Sequence, residues 1–309
     1  MTGDLRTGPP GAARGEARAR VALLGNPSDG FGGKTLGLTI EGMSATVTLG
    51  AAEAGDASPL IGAAIDRFNR VAGTSVPGSG SLRTTIPREV GLGGSSAIVI
   101  ATLRALCAEC EHRLDADELA AMALAVETED LGIAARPQDR LVQAHEGLLY
   151  LDFADDRWRC EPLEPELLPP LFCAYREDAA APSGSVHDDL RRRFEADEGA
   201  TRSLLARIGE LAERGREALL DGRPEALAGL MSRNFELRSQ LVELAPAHVR
   251  MIELANELGA GANYAGSGGA IVGVAPDAAE LERLRDAFAA EGCALVAAIP
   301  PRFSAGRRL

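Results

Sequence analysis

The stretch Pro87-Arg-Glu-Val-Gly91-Leu-Gly93-Gly94-Ser95-Ser96-Ala97 runs directly into an apolar segment, Ile98 to Leu106, that reads as a helix. Glycines permit a tight turn, and the start of a helix aims unpaired N–H groups and positive dipole at an anion. The small residues from Gly93 to Ser96 suit close backbone approach better than they suit simple capping. A dinucleotide-binding reading fails, because Ala97 is out of place for G-x-G-x-x-G and no βαβ frame follows. Another segment, Ser28-Asp-Gly-Phe-Gly-Gly33-Lys34-Thr35, nearly spells a Walker A loop. Ser28 stands where its first glycine belongs, however, and Thr35–Ile40 alternates like a strand where a helix is required. Ala265-Gly266-Ser267-Gly268-Gly269-Ala270 lies between short apolar segments. It reads either as a hairpin turn or as a loop closing over a bound nucleotide.

Around these loops the chain mixes strands and helices without regular βαβ alternation, which predicts an α+β fold in two domains. Ordered structure is expected from Arg18, after a disordered lead-in over 1–17. A strand follows at Arg20–Gly25, and Thr35–Ile40 with Met43–Leu49 suggests a β-hairpin by its period of two. Helices are expected at Pro59–Val71, Ser95–Cys110 and from Asp115 to Asp130, with strands at Leu82–Ile86 and Gly147–Phe153. The Pro/Glu-rich stretch Glu161–Pro170 marks the boundary between domains at 18–165 and 166–309. Beyond it lie a strand at Leu171–Tyr175, a small-residue loop over 178–185, and amphipathic helices over 187–258. The chain then closes with a strand–glycine loop–strand at Asn263–Val274, a helix at Ala278–Ala290 and a strand at Cys293–Ile299.

At 309 residues and 46% hydrophobic, the chain exceeds the roughly 250–300 residues that one core serves. No run approaches the ~18 apolar residues of a membrane span, and the polar N-terminus has no apolar stretch of signal-peptide length, so a cytoplasmic location is expected. With 32 Lys+Arg against 45 Asp+Glu the net charge is −13, which argues against nucleic acid and anionic membranes as partners. An anionic substrate must then meet a local basic site. Lys34 is the only lysine, a weak hint that its position wants a compact ammonium. The Cys107/Cys110 pair sits on an apolar helical pattern with no second pair, and reads as reduced thiols.

PREVGLGGSSA at 87–97 resembles the central motif of the GHMP kinases, RVALLGNPSD at 20–29 their first motif, and NYAGSGGAIVGV at 263–274 their third. Finer details are similar to the glucuronokinase branch: LLGNPSDGFGGKT at 23–35, IPREVGLGGSSAIV at 86–99, RPQDRLVQ at 136–143 and SGSVHDDLRRRF at 183–194. The resemblance implies an N-terminal ATP-binding domain carrying the phosphate loop and a C-terminal, ferredoxin-like α/β-sandwich domain. It also implies Mg²⁺- and ATP-dependent phosphorylation of a small alcohol, with the anomeric hydroxyl of D-glucuronate as the expected acceptor. Another sugar, a sugar acid such as galacturonate, or a mevalonate-type alcohol is the alternative. A sensor that binds nucleotide or sugar without catalysis is the rival from another class.

By the same resemblance, Gly91, Leu92, Gly93, Gly94, Ser95, Ser96 and Ala97 hold the phosphates, and Ser96 and Glu127 bind Mg²⁺, with Ser95 and Glu129 as competitors. Asp139 matches the catalytic aspartate that orients or deprotonates the acceptor hydroxyl. As a bare residue Asp139 would read as a helix N-cap after Pro137, and Glu127 as a solvated helix carboxylate. Arg20 takes the place of a basic residue that lowers charge near Asp139. Asn26 and Asp29 fall where sugar hydroxyls bind, and Asn26 departs from the Glu of galactokinases. Lys34 is a candidate contact for a substrate carboxylate or for the nucleotide, Arg140 and Arg176 are further candidate clamps for the carboxylate, and Gly266, Ser267 and Gly268 line the substrate side of the third loop.

Overall fold

The computed structural model describes residues 12–50, 58–155, 157–177, 184–196 and 199–299. The chain starts with a long antiparallel pair, β1 (Arg14–Leu24) and β2 (Lys34–Leu49). β1 therefore begins at Arg14 rather than Arg18, and 14–17 belong to the sheet, not to a disordered lead-in. The cause is legible in Gly15-Glu-Ala-Arg-Ala19, whose small residues alternate inward and let β1 lie almost on the backbone of a helix. The remaining part of that expected lead-in, 1–11, lies outside the described residues, as does 178–183 of the expected loop.

The expected hairpin is instead one continuous strand. β2 pairs with β1 along both halves, Leu36–Thr39 against Arg20–Leu24 and Ser44–Thr48 against Arg14–Arg18. Between them Glu41-Gly42 absorbs a register shift, with Gly42 at φ +85°. A partner as long as β1 satisfies the ladder of both halves, so the chain need not double back. β4 (Leu148–Asp152), β5 (Arg159–Leu163) and β3 (Gly80–Thr84) complete this sheet, in order β1-β2-β4-β5 with β3 on β2.

On the sheet lies α2 (Gly94–Glu109), flanked by α1 (Pro59–Ala72), α3 (Ala116–Ala125) and α4 (Pro137–His145). α2 is apolar nearly all round and accordingly buried from Ser96 to Leu106. α3 opens on a reciprocal cap, Asp115 accepting from the Glu118 amide and Glu118 accepting from the Asp115 amide, each at 2.8 Å. It ends in a π-helical turn, Val126–Asp130, a feature frequent at functional sites. α4 starts with Pro137 in its first turn, and Arg104 of α2 donates to the carbonyls of Gln143 and Ala144 at its other end. Asp139 is thus inside the first turn rather than at the N-cap, which is Arg136.

The second sheet is antiparallel, in order β7-β8-β6-β9, from β6 (Leu171–Tyr175), β7 (Gly261–Tyr264), β8 (Ala270–Val274) and β9 (Ala294–Ala297). Between β6 and β7 run α5 (Gly184–Glu195), α6 (Gly199–Leu220), α7 (Ala226–Ser239) and α8 (Pro246–Glu257), and α9 (Ala278–Ala290) joins β8 to β9. Strand order and connection are those of a ferredoxin-like sandwich. α6 packs on β1 and β2 while α7 packs on β7 and β8, so one main core runs through both halves, and a smaller one lies under α8 and α9. No helix among the described residues is long and apolar enough to cross a membrane.

The seat of β1 on α2 depends on Gly15. A Cβ there would stand 2.0 Å from the Ala101 carbonyl and 2.5 Å from the Ala105 nitrogen, both backbone atoms that cannot swing away. Gly15→Ala should cost about 1–3 kcal/mol by overpacking. Gly62→Ala, with open space on α1, should gain roughly 0.5–1 kcal/mol. Urea unfolding of both variants checks this, and an unperturbed Gly15→Ala would mean that the first turn of β1 does not dock.

Candidate active site

The first turn of α4, the glycine loop before α2 and the glycine loop between β7 and β8 converge on one side chain, Arg20. Its Nε lies 2.6 Å from Asp139 Oδ1 and its Nη2 donates to Asp139 Oδ2 at 2.6 Å, a two-pronged ion pair. Its Nη1 donates to the carbonyls of Gly91 (2.7 Å) and Ala265 (3.0 Å). The Arg20 backbone N–H donates to the Leu92 carbonyl, and that of Ala22 to Ala265. Arg20 is buried, whereas Asp139 keeps an edge open to the cleft.

The two glycine loops touch backbone to backbone. A Cβ on Gly266 would sit 2.2 Å from the Gly91 carbonyl, and one on Gly91 2.7 Å from that of Gly268. Gly91 also has φ +75°, outside the range of ordinary side chains. Gly266, Ser267 and Gly268 thus brace the loop 91–97, and His248 holds them by accepting the Gly269 N–H at 2.9 Å. Arg176 joins at the end of β6, its N–H donating to the Gly269 carbonyl. Gly93 and Gly94 lead into α2, Ser95 points to solvent, and Ser96 and Ala97 are buried. Ser96 Oγ donates to the Gly93 carbonyl, which also accepts from Gln143.

Glu127 is fully buried in the π turn. Its Oε2 pairs with the Arg140 guanidinium, Nε donating at 2.6 Å, while its Oε1 has no partner among the described residues. Glu129, the competitor, lies on the exposed flank and pairs with Arg67. Arg140 also donates to the Arg136 carbonyl at 2.9 Å. The guanidinium expected to clamp a substrate carboxylate is therefore engaged in holding Glu127. Lys34 is engaged as well, donating to Glu213 of α6 at 2.6 Å.

Asn26 and Asp29 are both buried, beside a short 3₁₀ turn (Ser28–Phe31) that leads into β2 and not into a helix, unlike a Walker A loop. Asn26 Oδ1 accepts from Arg238 of α7 at 2.7 Å, and Asn234 donates to the Asn26 carbonyl at 3.1 Å. Burial pushes the Asp29 carboxyl up from its ordinary value, Asp139 adds to this, and Arg136 and Arg20 oppose it. Gln138, Gln143, Asn234, Arg136, Arg238 and His248 were not singled out from the sequence. Asn234 and Arg238 carried a signal: they fall on the apolar stripe of α7 that includes Leu227, Leu230, Met231 and Leu237.

A glycine loop at a helix start, an arginine-held aspartate beside it and a buried carboxylate with one oxygen unpartnered among the described residues have the chemistry that phosphoryl transfer calls for. Residues 59–147 match the GHMP kinases N terminal domain, and residues 216–293 match GHMP kinases C terminal. The chain belongs to the GHMP kinases and is an ATP-dependent kinase. It is 32% identical over 305 residues to Glucuronokinase 1 of Arabidopsis thaliana, covering 84% of each chain. Over 208 residues it is 38% identical to Probable glucuronokinase 2 of the same plant, covering 64% of this chain and 57% of the relative. The mevalonate kinase of Methanococcus jannaschii shares the fold, with a TM-score of 0.75 at 20% identity over 94% of this chain and 98% of that one.

Asp29 sets a pH dependence. Because its folded pKa is raised, the folded chain holds that proton more tightly than the unfolded chain does. The associated stability is fully present below about 3.8, the ordinary value, and is lost as pH rises through the folded value. Ionised Asp29 therefore weakens the fold at pH 7. Asp29→Asn should melt above wild type at pH 7, with the difference shrinking as pH falls toward about 4. A lower melting temperature for the variant at pH 7 would show the charge to be fully compensated by Arg136 and Arg20.

Proposed function

We propose that this kinase transfers the γ-phosphate of ATP to the anomeric hydroxyl of D-glucuronate, giving glucuronate 1-phosphate. The observation that carries this reading is the junction at Arg20, where the loop 91–97, the third loop and Asp139 meet at a single guanidinium. Arg20 also lies within electrostatic reach of Asp29, which supports a phosphate side and an acceptor side that meet at this junction. The likeness to glucuronokinases over most of the chain directs the choice of sugar.

In this scheme Asp139 orients the acceptor hydroxyl and takes its proton as the oxygen–phosphorus bond forms and ADP leaves. Arg20 holds both Asp139 oxygens in place and balances their charge. The amides from Gly91 to Ala97, with the positive end of α2, hold the phosphates. Mg²⁺ fits the residues present: Glu127 Oε1 is a buried carboxylate oxygen without a partner among the described residues, and Ser96 Oγ stands at the start of α2. When bound, the cation neutralises charge on the phosphates. Asn26 and Asp29 bind sugar hydroxyls, and Arg140 keeps Glu127 aligned.

ADP release with Mg·ATP over glucuronate, galacturonate, galactose, glucose, mevalonate and homoserine tests the acceptor. Selective turnover of glucuronate is expected, and selective turnover of a neutral sugar would discard the sugar acid. Asp139→Asn should retain ATP binding while turnover falls by a factor on the order of 10²–10⁴. Turnover near wild type would remove Asp139 from the mechanism. Glu127→Gln should shift the Mg²⁺ dependence of turnover to higher concentration, and an unchanged titration would assign the metal elsewhere.

A further inference from the structure

Arg20, Arg140 and Arg238 are the buried arginines among the described residues, and two of them face carboxylates, Asp139 and Glu127. Arg238 does not. It is 2% exposed, its Nη1 donates to the neutral Asn26 side chain, and its Nε has no partner among the described residues. Its guanidinium lies over the Tyr264 ring, 4.8 Å from the centroid. Asp29 attracts it only from a distance, and no ion pair forms among the described residues; a guanidinium buried in this way is expensive to keep, and burial pulls its pKa down to about 10.

Arg136 is in a similar state on the adjacent residue. Its Nη1 donates to the Pro27 carbonyl at 3.1 Å, and its guanidinium covers the Phe31 ring at 4.5 Å. No described carboxylate forms an ion pair with it. Asp29 and Asp139 are within electrostatic reach, and Arg191 of α5 adds repulsion. Burial lowers its pKa too. Around the acceptor side of the cleft, Arg20, Arg136 and Arg238 thus stand against Asp29 and Asp139, an excess of one positive charge to which Arg191 adds, in a protein of net charge −13. Of the basic residues expected for a carboxylate, Lys34 and Arg140 are already paired.

Resting on the sugar-acid reading above, we propose that Arg238 and Arg136 bind the carboxylate of the acceptor, and that this pair sets the preference for a sugar acid over the neutral sugar. A monoanion supplies the charge the pocket lacks. The planar forks of two arginines at Asn26 and Pro27 suit the two oxygens of a carboxylate. Desolvation at Arg238 makes an acceptor without that charge a poor match, because it leaves a buried donor unpaired.

The test compares wild type with Arg136→Gln, Arg238→Gln and Arg238→Lys, using glucuronate, glucose and glucose 6-phosphate as acceptors. Circular dichroism and ATP binding check that each variant is folded. Wild type is expected to favour glucuronate over glucose in kcat/KM. Each Gln variant should raise KM for glucuronate by about 10–100-fold, the worth of a hydrogen bond to a charged group, and shrink the glucuronate-to-glucose ratio accordingly. Arg238→Lys should fall between. A structural role alone would depress both acceptors equally and leave the ratio intact, which overturns the proposal. Should Arg238→Gln fail to fold, the ratio in the half-buried Arg136→Gln decides. Wild-type preference for glucose 6-phosphate would also overturn it, in favour of a phosphate site. Wild type that turns over only neutral sugars sinks the sugar-acid reading itself, an outcome distinct from wild-type glucuronate turnover with the ratio preserved in both variants.

Discussion

The Arg20 guanidinium is the joint on which the rest of the structure turns. It reaches Asp139 on α4, the Gly91 carbonyl before α2 and the Ala265 carbonyl after β7, so three elements far apart in sequence share one charge. A buried ion pair of this kind adds little net stability compared with apolar packing, because desolvation offsets the attraction. What it supplies is placement. Asp139 cannot rotate freely while both its oxygens are held, and the carbonyls of two glycine loops gain a partner that a small residue could not offer.

Glycine on both sides makes that arrangement possible. The loops at 91 and 266 approach so closely that either Cβ would strike the other backbone. Their contact ties the C-terminal sheet to the start of α2, and the main core runs through the same junction. The glycine loop before α2 is thereby braced by a second layer of backbone, not by side chains that could change rotamer.

Charge is distributed in the cleft according to access to water. Glu127 and Arg140 neutralise each other in full burial and leave one carboxylate oxygen open. Asp29 is buried with no ion pair among the described residues and is held above its ordinary pKa, while Arg136 and Arg238 are held below theirs. Such partly compensated groups weaken a fold, and their clustering around Asp29 supports the charged acceptor proposed above.

Much of this was legible in the sequence. The order of strands and helices, the loop that opens a helix, the failure of Ser28–Thr35 to do so, and the candidates Arg20, Glu127 and Asp139 all follow from short-range periodicity, from glycine spacing and from motif likeness. These signals are local, and local backbone preferences survive folding. The single long β2 was missed because Glu41-Gly42 reads as a turn until its partner strand is known to run past it. Of the partnerships among charges, that of Arg20 with Asp139, 119 positions apart, was expected from motif likeness, whereas that of Arg238 with Asn26, 212 positions apart, had no such signal. Whether Lys34 and Arg140 were free, and whether Arg238 was not paired, depended on which groups α6, α7 and the π turn carried to them. Residue types and loop chemistry were determined by the sequence; which charges found a counter-charge was decided only by tertiary packing, because an ion pair depends on distance in space and on exclusion of water.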